Sequence, residues 1–390
     1  MSNTLVRIHL TRVLRHFDIK SFYVTPTICI VGTEYQIMIH TDVEALISVR
    51  VGENTYYNHS NGIRISTPGM HRFRIPQEEL DRACEYTVIT EKMIERTPYF
   101  PKSDSPVEET YKFTPITKTE DINIYHLADV HGEKDKAIAA VKFSGRTPDL
   151  LIMNGDISST SDTFEDIILC YKIASEVTGG SIPCIISRGN HDLRGAGAEN
   201  LAKNMPGEYG NSYYTFRAGC IWGILVDAGE DKMDFNAEYG STVACHPFRL
   251  EQQKMIEKTI KNAVGEYEAD GVKYRMVISH IPFTFRKRLS VFDIERELYT
   301  NWSELLRENV KPDFMLCGHT HNALISEPGS EMDDLGHPCT VIVGSDVKKD
   351  DDGNVTFTGT NINLQQGYAT VSFNTEKEVT GEAVVKFQGA

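Results

Sequence analysis

The sequence predicts a layered α/β fold behind an N-terminal all-β sandwich, and three observations carry that expectation. Five apolar runs between positions 122 and 321 end in Asp, Asn or His: INIYHLADVH (122–131), LLIMNGD (150–156), PCIISRGNHD (183–192), YRMVISHIP (274–282) and FMLCGHTH (314–321). Stretches of helical character lie between them, and strands alternating with helices form a layered α/β domain. Ahead of them, residues 21 to 115 show no helical periodicity and only short β-rich runs.

Those N-terminal runs are TICIV, EYQIMIH, ALISVRV, HRFRI and EYTVIT, parted by turn residues at Val31-Gly32-Thr33, Asn61-Gly62 and Pro68-Gly69. Short strands with turns every ten or so residues predict an all-β sandwich. The Pro-rich, charged segment TPYFPKSDSPVEETYKFTP then reads as an irregular connection or edge strand, with a boundary near 116 to 120. This divides the chain into an N-terminal part, 1–118, and a second part, 119–390. In the second part, EKDKAIAAVKF, TFEDIILCYKIASEV and FRLEQQKMIEKTIKNAV predict helices, as does NWSELLREN with Asn301 as its cap and Glu304 in the reciprocal position. After GHTH, TVIVGSD, NVTFTG, GYATVSF and EAVVKF predict strands that complete a second sheet.

An apolar strand ending in metal-ligand residues is what a buried strand looks like where its carboxyl end opens onto a site. In extended chain, residues i and i+2 point the same way. Asp129 and His131 then reach one metal together, and His319 and His321 share a side. Asn190 and His191 diverge, which makes Asn190 a ligand and turns His191 toward substrate. Asp156 follows Gly155, whose missing Cβ permits a tight turn. The candidates are Asp129, His131, Asp156, Asn190, His280, His319 and His321. Seven donors are too many for one tetrahedral ion and suit two ions sharing one carboxylate. Imidazole, carboxylate and amide oxygen without thiolate suit Zn, Fe or Mn. Two such ions about 3.5–4 Å apart clamp the attacking and leaving oxygens of phosphoryl transfer. Two Asp against two divalent ions leave a positive site, for which a phosphate dianion is the natural guest. The formal charge of -15 does not oppose this, because bound ions dominate the local field.

The series D-x-H, G-D, G-N-H-D, a lone His after a strand and G-H-T-H resembles the calcineurin-type metallophosphoesterase superfamily, over roughly residues 120 to 345. The resemblance implies a four-layer sandwich in which one metal takes Asp129, His131, Asp156 and His321. The other takes Asp156, Asn190, His280 and His319, with Asp156 bridging. His191 is then the unligated imidazole that stabilises the phosphoryl group and protonates the leaving group, and a metal-bridging hydroxide is the nucleophile. The likeness extends toward the purple acid phosphatase-like branch, which carries a fibronectin-like domain ahead of the catalytic one. LRG after GNHD, the pair Tyr213 and Tyr214, and DAGEDK from Asp227 belong to that likeness. Purple enzymes follow GD with an iron-ligating tyrosine, whereas GDISSTSD offers Ser158 and Ser159; the first motif is also D-x-H rather than D-x-G. A pair of Mn, Fe(II) or Zn ions is therefore expected in place of a tyrosinate-bound Fe(III).

The expected activity is hydrolysis of phosphate monoesters, with phosphodiesterase action on cyclic or linear nucleotides as the alternative. A third reading, a binding protein with a vestigial metal site, conflicts with an intact ligand set. Asp192 orients His191 or caps a helix, and Arg194 contacts a phosphoryl oxygen or is a surface residue. His126, off the D-x-H face, reads as structural, and His246 as a turn or cleft residue. Tyr213, Tyr214 and Trp222 read as core or wall. The run Arg286-Lys287-Arg288 attracts an anionic substrate or is a solvated loop.

At 390 residues, 40% apolar and 24% charged, the chain has ordinary globular composition. Its acidic balance argues against a nucleic-acid scaffold as partner, since phosphate backbones demand a basic face. The expected partner is a small phosphorylated substrate, and the oligomeric state stays open. No 18-residue apolar stretch predicts a membrane helix, and MSNTLVRIHLTRVLRHFDIK has neither the apolar core nor the cleavage site of a signal peptide. Eight scattered cysteines without a C-x-x-C pair predict buried thiols in a reducing compartment, hence a cytoplasmic protein.

Overall fold

The computed structural model describes residues 24–387; the segment read for a signal peptide lies outside the described residues. Strands Ile122–Leu127, Leu150–Asn154 and Pro183–Ser187 pair in parallel, with Ile124 opposite Leu150 and Leu151 opposite Cys184. Ile221–Leu225, Tyr274–Ile278, Phe314–Cys317 and Thr340–Val343 form a second parallel set. Nearly every side chain in both sets is buried, as strands covered on both faces require.

Side-chain alternation then fixes the layers. Ile124, Ile152 and Ile185 meet Leu225, Ile278 and Leu316 between the two sheets. Tyr125, Leu127 and Met153 turn outward against helices Lys134–Phe143 and Leu169–Thr178. On the far side Ile224, Val277 and Met315 pack on Ile256 of helix Cys245–Lys261 and on Leu298 and Trp302 of helix Arg296–Leu305. Helix, sheet, sheet, helix is the four-layer sandwich that the sequence predicts.

The N-terminal strands make two facing layers, also as predicted. One layer is not self-contained. Thr27–Val31 pairs in parallel with Pro183–Ser187, Cys29 opposite Cys184, and Glu34–Thr41 and Gly69–Pro76 continue outward, so these strands extend the first sheet to ten. The other layer comprises Ala45–Val51, Asn54–Tyr57, Glu85–Glu95 and Val107–Lys112, with Lys102–Ser103 at its edge. Ile37, Val49 and Val88 share one core with Ile124 and Leu316. Hydrogen bonding and core thus run across the division at 118. The local cause is TICIV itself, apolar on both faces and so suited to an interior strand.

Two expectations need correction. The helix read from Asn301 begins at Arg296, so Asn301 lies within it; its buried stripe starts at Leu298 and Tyr299, and Glu295 ahead of it pairs with buried Arg249. Of the strands predicted after GHTH, only Thr340–Val343 joins the second sheet, where the short strand Leu324–Ser326 pairs with it. Val355–Gln365, Tyr368–Asn374 and Val379–Lys386 return to the first, where Ile362 lies antiparallel to Ile124. All eight cysteines are unpaired and seven are buried. Among the described residues no helix is long and apolar enough to cross a membrane.

Candidate metal centre

The five motifs converge where the parallel strands of both sheets end. Gly155 and Gly189 touch there: a Cβ on Gly155 would lie 2.5 Å from the Gly189 nitrogen. This contact brings the GD and GNHD turns together and requires glycine in both. Five of the seven ligand candidates have left-handed backbones, with φ of 49° at Asp129, 46° at His131, 52° at Asp156, 69° at His319 and 51° at His321. For a non-glycine residue that costs roughly 1–2 kcal/mol each. Backbone bonds hold the turns: Asp129 N–H donates to the Gly155 carbonyl at 3.1 Å, and His131 N–H to that of Asp156 at 3.0 Å. The His319 N–H donates across the sheets to Asp129 Oδ2 at 2.8 Å.

These turns, rather than extended chain, unite Asp129 with His131, whose Nε2 is 3.9 Å from Asp129 Oδ1; Val130 between them is buried against the helices. His319 and His321 do not point the same way. His319 Nδ1 is 2.9 Å from Asn190 Oδ1, whereas His321 Nε2 is 3.1 Å from His131 Nε2 and 3.4 Å from Asp129 Oδ1. Tight left-handed turns break the period-two rule that predicted a shared side. His280 Nε2 lies 3.1 Å from Asp156 Oδ2 and 3.8 Å from Asp129 Oδ1. Two groups with metal-binding geometry result, Asp129 with His131 and His321, and Asp129 with Asp156 and His280. Asp129 belongs to both, while Asp156 Oδ1 accepts the His191 N–H at 2.9 Å.

Asp129 Oδ1 and His280 Nε2 are buried without a hydrogen-bond partner, both facing this centre. Such orphaned atoms are costly unless something else satisfies them. With carboxylates, imidazoles and an amide oxygen but no thiolate, the residues fit divalent metal ions. A second set of contacts orients the ligands. His280 Nδ1 is 2.7 Å from the Asn154 carbonyl, which leaves Nε2 for the centre. The Asn154 side chain, which the sequence reading did not single out, donates to the Leu316 carbonyl at 3.2 Å and accepts from Ser187.

Burial disfavours charge on His280, but Asp156 and Asp129 outweigh it and raise its pKa to about 10. Burial likewise opposes ionisation of Asp156, yet His280 holds that carboxyl well below the usual range. Burial lowers His131, and lowers His319 strongly with help from His280 and Lys287. The Asp129 carboxylate, 3.4 Å from its Nε2, raises His321.

His191 opens the 3₁₀ turn His191–Leu193 at the mouth of the site, its ring centroid 5.0 Å from that of His131. The acceptor facing its Nδ1 is the Ser159 carbonyl at 3.0 Å, not Asp192. Asp192 is buried behind the turns, where Oδ2 accepts from the N–H groups of Gly189 at 2.7 Å and Asp156 at 3.0 Å; burial and the Asp156 charge raise its pKa to about 7. Its side chain holds the GD turn to the GNHD turn. Arg194 is committed elsewhere: Glu230 takes it at 2.7 and 2.9 Å, and Glu238 lies 3.3 Å away. Asp231, read only as part of DAGEDK, comes within 3.8 Å of His319 Nε2. Burial lowers the Lys287 amine against the pull of Asp231. His126 is fully buried, with its pKa lowered to about 3 by burial, and is structural. His246 pairs with Glu295 at 2.8 Å. Tyr213 packs on Phe248, and Tyr214 and Trp222 are core.

The family model described as calcineurin-like phosphoesterase matches residues 122–323. No curated protein sequence matches the chain. Among solved structures, PhoD aligns with a TM-score of 0.49 at 10% identity, over 94% of this chain and 90% of that one. A conserved Streptococcus pneumoniae TIGR4 protein described as a predicted phosphoesterase aligns at 0.33 and 11%, over 68% and 97%. The phosphopantetheinyl hydrolase of Mycobacterium tuberculosis gives 0.33 and 11%, over 58% and 89%. The family match covers more than half of the chain and all seven ligand candidates. The chain therefore belongs to the calcineurin-like phosphoesterase family and is a metal-dependent hydrolase of phosphoric esters.

Proposed function

We propose that the protein hydrolyses phosphate monoesters at a two-metal centre. The observation that carries this reading is the convergence of two buried carboxylates, four imidazoles and an amide on orphaned atoms between the sheets. Asp129, His131, Asp156 and His321 would hold one ion, and Asp156, Asn190, His280 and His319 the other. Bound Mn, Fe(II) or Zn ions would supply charge stabilisation and a water of lowered pKa. Against two divalent cations the carboxylates leave net positive charge, which favours the dianion of a monoester over the monoanion of a diester. The Asp156 carboxylate fixes the backbone of His191, and the Ser159 carbonyl engages Nδ1. Nε2 is then the atom that passes a proton to the leaving oxygen, as general acid.

The test is to strip the protein, reload it with Mn, Zn or Fe, and compare aryl monoesters, aryl diesters and nucleotides. Two ions per chain and fastest turnover of monoesters are expected. Turnover of a diester faster than that of the matched monoester overturns the monoester reading.

A further inference from the structure

A cavity of about 780 Å³ opens beside the metal ligands, bounded by His319 and Asp231. Its wall is the segment that follows His280. Phe285, Phe292, Leu324 and Met332 present carbon to it, and the last three are half-buried. Arg286, Lys287 and Arg288 line the same space. In a chain of net charge -15, three successive cations at one apolar opening are an unusual local excess.

Their neighbours sharpen the point. Arg194 and Lys232 are each paired with two carboxylates. Among the described residues, no ion pair within 4 Å engages Arg286, Lys287 or Arg288. Nor is the run a loose loop: the Arg286 N–H donates to the Met332 carbonyl at 2.8 Å, and Phe285 bridges to Asp333. The backbone is tied to the opposite wall, which keeps the three cations at the cavity.

We propose that this cavity is the leaving-group pocket, and that it takes phosphoesters whose leaving group is an apolar body carrying a second anionic group. The assignment rests on the phosphoesterase reading for its reaction. An apolar leaving group alone would leave the cations unused, and a small anion alone would leave the carbon surface wet. A guanidinium presents two parallel N–H donors that match either a carboxylate or a phosphate. The second anion is therefore defined by its charge, and the experiment distinguishes the two sources.

The metal-loaded full-length protein is assayed with 2-naphthyl phosphate, 6-carboxy-2-naphthyl phosphate and naphthalene-2,6-diyl bisphosphate. Ionic strength near 0.15 M limits long-range attraction to about 8 Å. One or both doubly anionic esters should exceed the plain ester in kcat/KM by about tenfold, the scale of one hydrogen bond to a charged group. Whichever is preferred names the second anion. The double variant Arg286→Ser, Arg288→Ser should erase that preference. Equal kcat/KM for all three esters, or a preference that survives the double variant, overturns the pocket. Calorimetric binding of the matching non-hydrolysable phosphonates separates the two readings. Discrimination among phosphonates that the double variant loses, without hydrolysis of any ester, keeps the pocket and removes the phosphomonoesterase reading. Hydrolysis without such discrimination removes the pocket alone.

Discussion

The two sheets bring different chemistry to one centre. The ten-stranded sheet contributes both carboxylates, the amide and one imidazole, through Asp129, Asp156, Asn190 and His131. The six-stranded sheet contributes only imidazoles, His280, His319 and His321. Asp129 and Asp156 are 0% and 1% exposed, whereas the His321 side chain is 44% exposed. Buried charge without a partner is strongly unfavourable. The first sheet thus holds a negative wall that needs cations: in metal-free protein the protonated His280 of the second sheet meets it 3.1 Å from Asp156, and a bound metal ion would take that place with the imidazoles as its donors. Each wall alone is half a site, and the shared core with the Asn154 and His319 cross-contacts sets their separation.

If this division holds, losing a carboxylate outweighs losing an imidazole. Asp156→Ala should release both ions and take activity below detection, because Asp156 also anchors His280 and the His191 backbone. His280→Asn should bind metal more weakly yet keep measurable turnover at excess metal. Elemental analysis and rates decide: one full equivalent of metal with normal activity in Asp156→Ala sinks the bridging role, and equal losses in both variants erase the contrast between the walls.

His191 belongs to the carboxylate wall but is not counted among its ligands. His191→Ala should keep its metals and lose about 10²–10⁴-fold in rate, the usual contribution of general acid–base catalysis. The loss should be smaller for p-nitrophenyl phosphate, whose leaving group needs little protonation. An equal loss for good and poor leaving groups would remove the general-acid role.

A smaller effect tests the charge balance directly. Asp156 and Asp129 raise His280 from 6.5 to about 10. In metal-free protein that bound proton stabilises the fold in full below pH 6.5, and its contribution disappears as pH rises through about 10. A metal ion competes for the same lone pair, so metal affinity should rise over that interval. Thermal unfolding with chelator present should show wild type losing its advantage over His280→Asn as pH increases. An advantage that is constant with pH places the proton elsewhere.

Much of this centre is legible in the sequence because its constraints are local. Gly155 and Gly189 stand where the two turns touch, and the apolar runs must be strands buried on both faces. The left-handed backbones at Asp129, His131, Asp156, His319 and His321 are not legible, since nothing in those side chains demands positive φ. They are imposed by hydrogen bonds between motifs far apart in the chain. The capture of Arg194 by Glu230 and the role of Asn154 depend on the same long-range docking. The N-terminal strands show the limit from the other side: short β runs announce a sandwich, but only the unbroken apolarity of TICIV hints that one layer joins the catalytic sheet.

The smallest expected effect is an absence of colour, and it asks whether either wall offers a phenolate. In purple enzymes a tyrosinate on Fe(III) gives the visible charge-transfer band. Here the positions after GD are Ser158 and Ser159, whose hydroxyls donate to Asp166 at 3.5 Å and to the His131 carbonyl at 3.4 Å. Three candidate tyrosines are otherwise engaged: Tyr125 donates to Asn374 at 3.1 Å, Tyr213 packs on Phe248, and Tyr214 is buried in the core. Burial raises the pKa of Tyr125 and Tyr214 further from ionisation. Iron-loaded protein should therefore show no tyrosinate band and should turn over with two divalent ions. A strong visible band abolished by Tyr125→Phe, Tyr213→Phe or Tyr214→Phe would mean that a phenolate reaches the metals from a wall that in this fold holds only carboxylates, an amide and imidazoles.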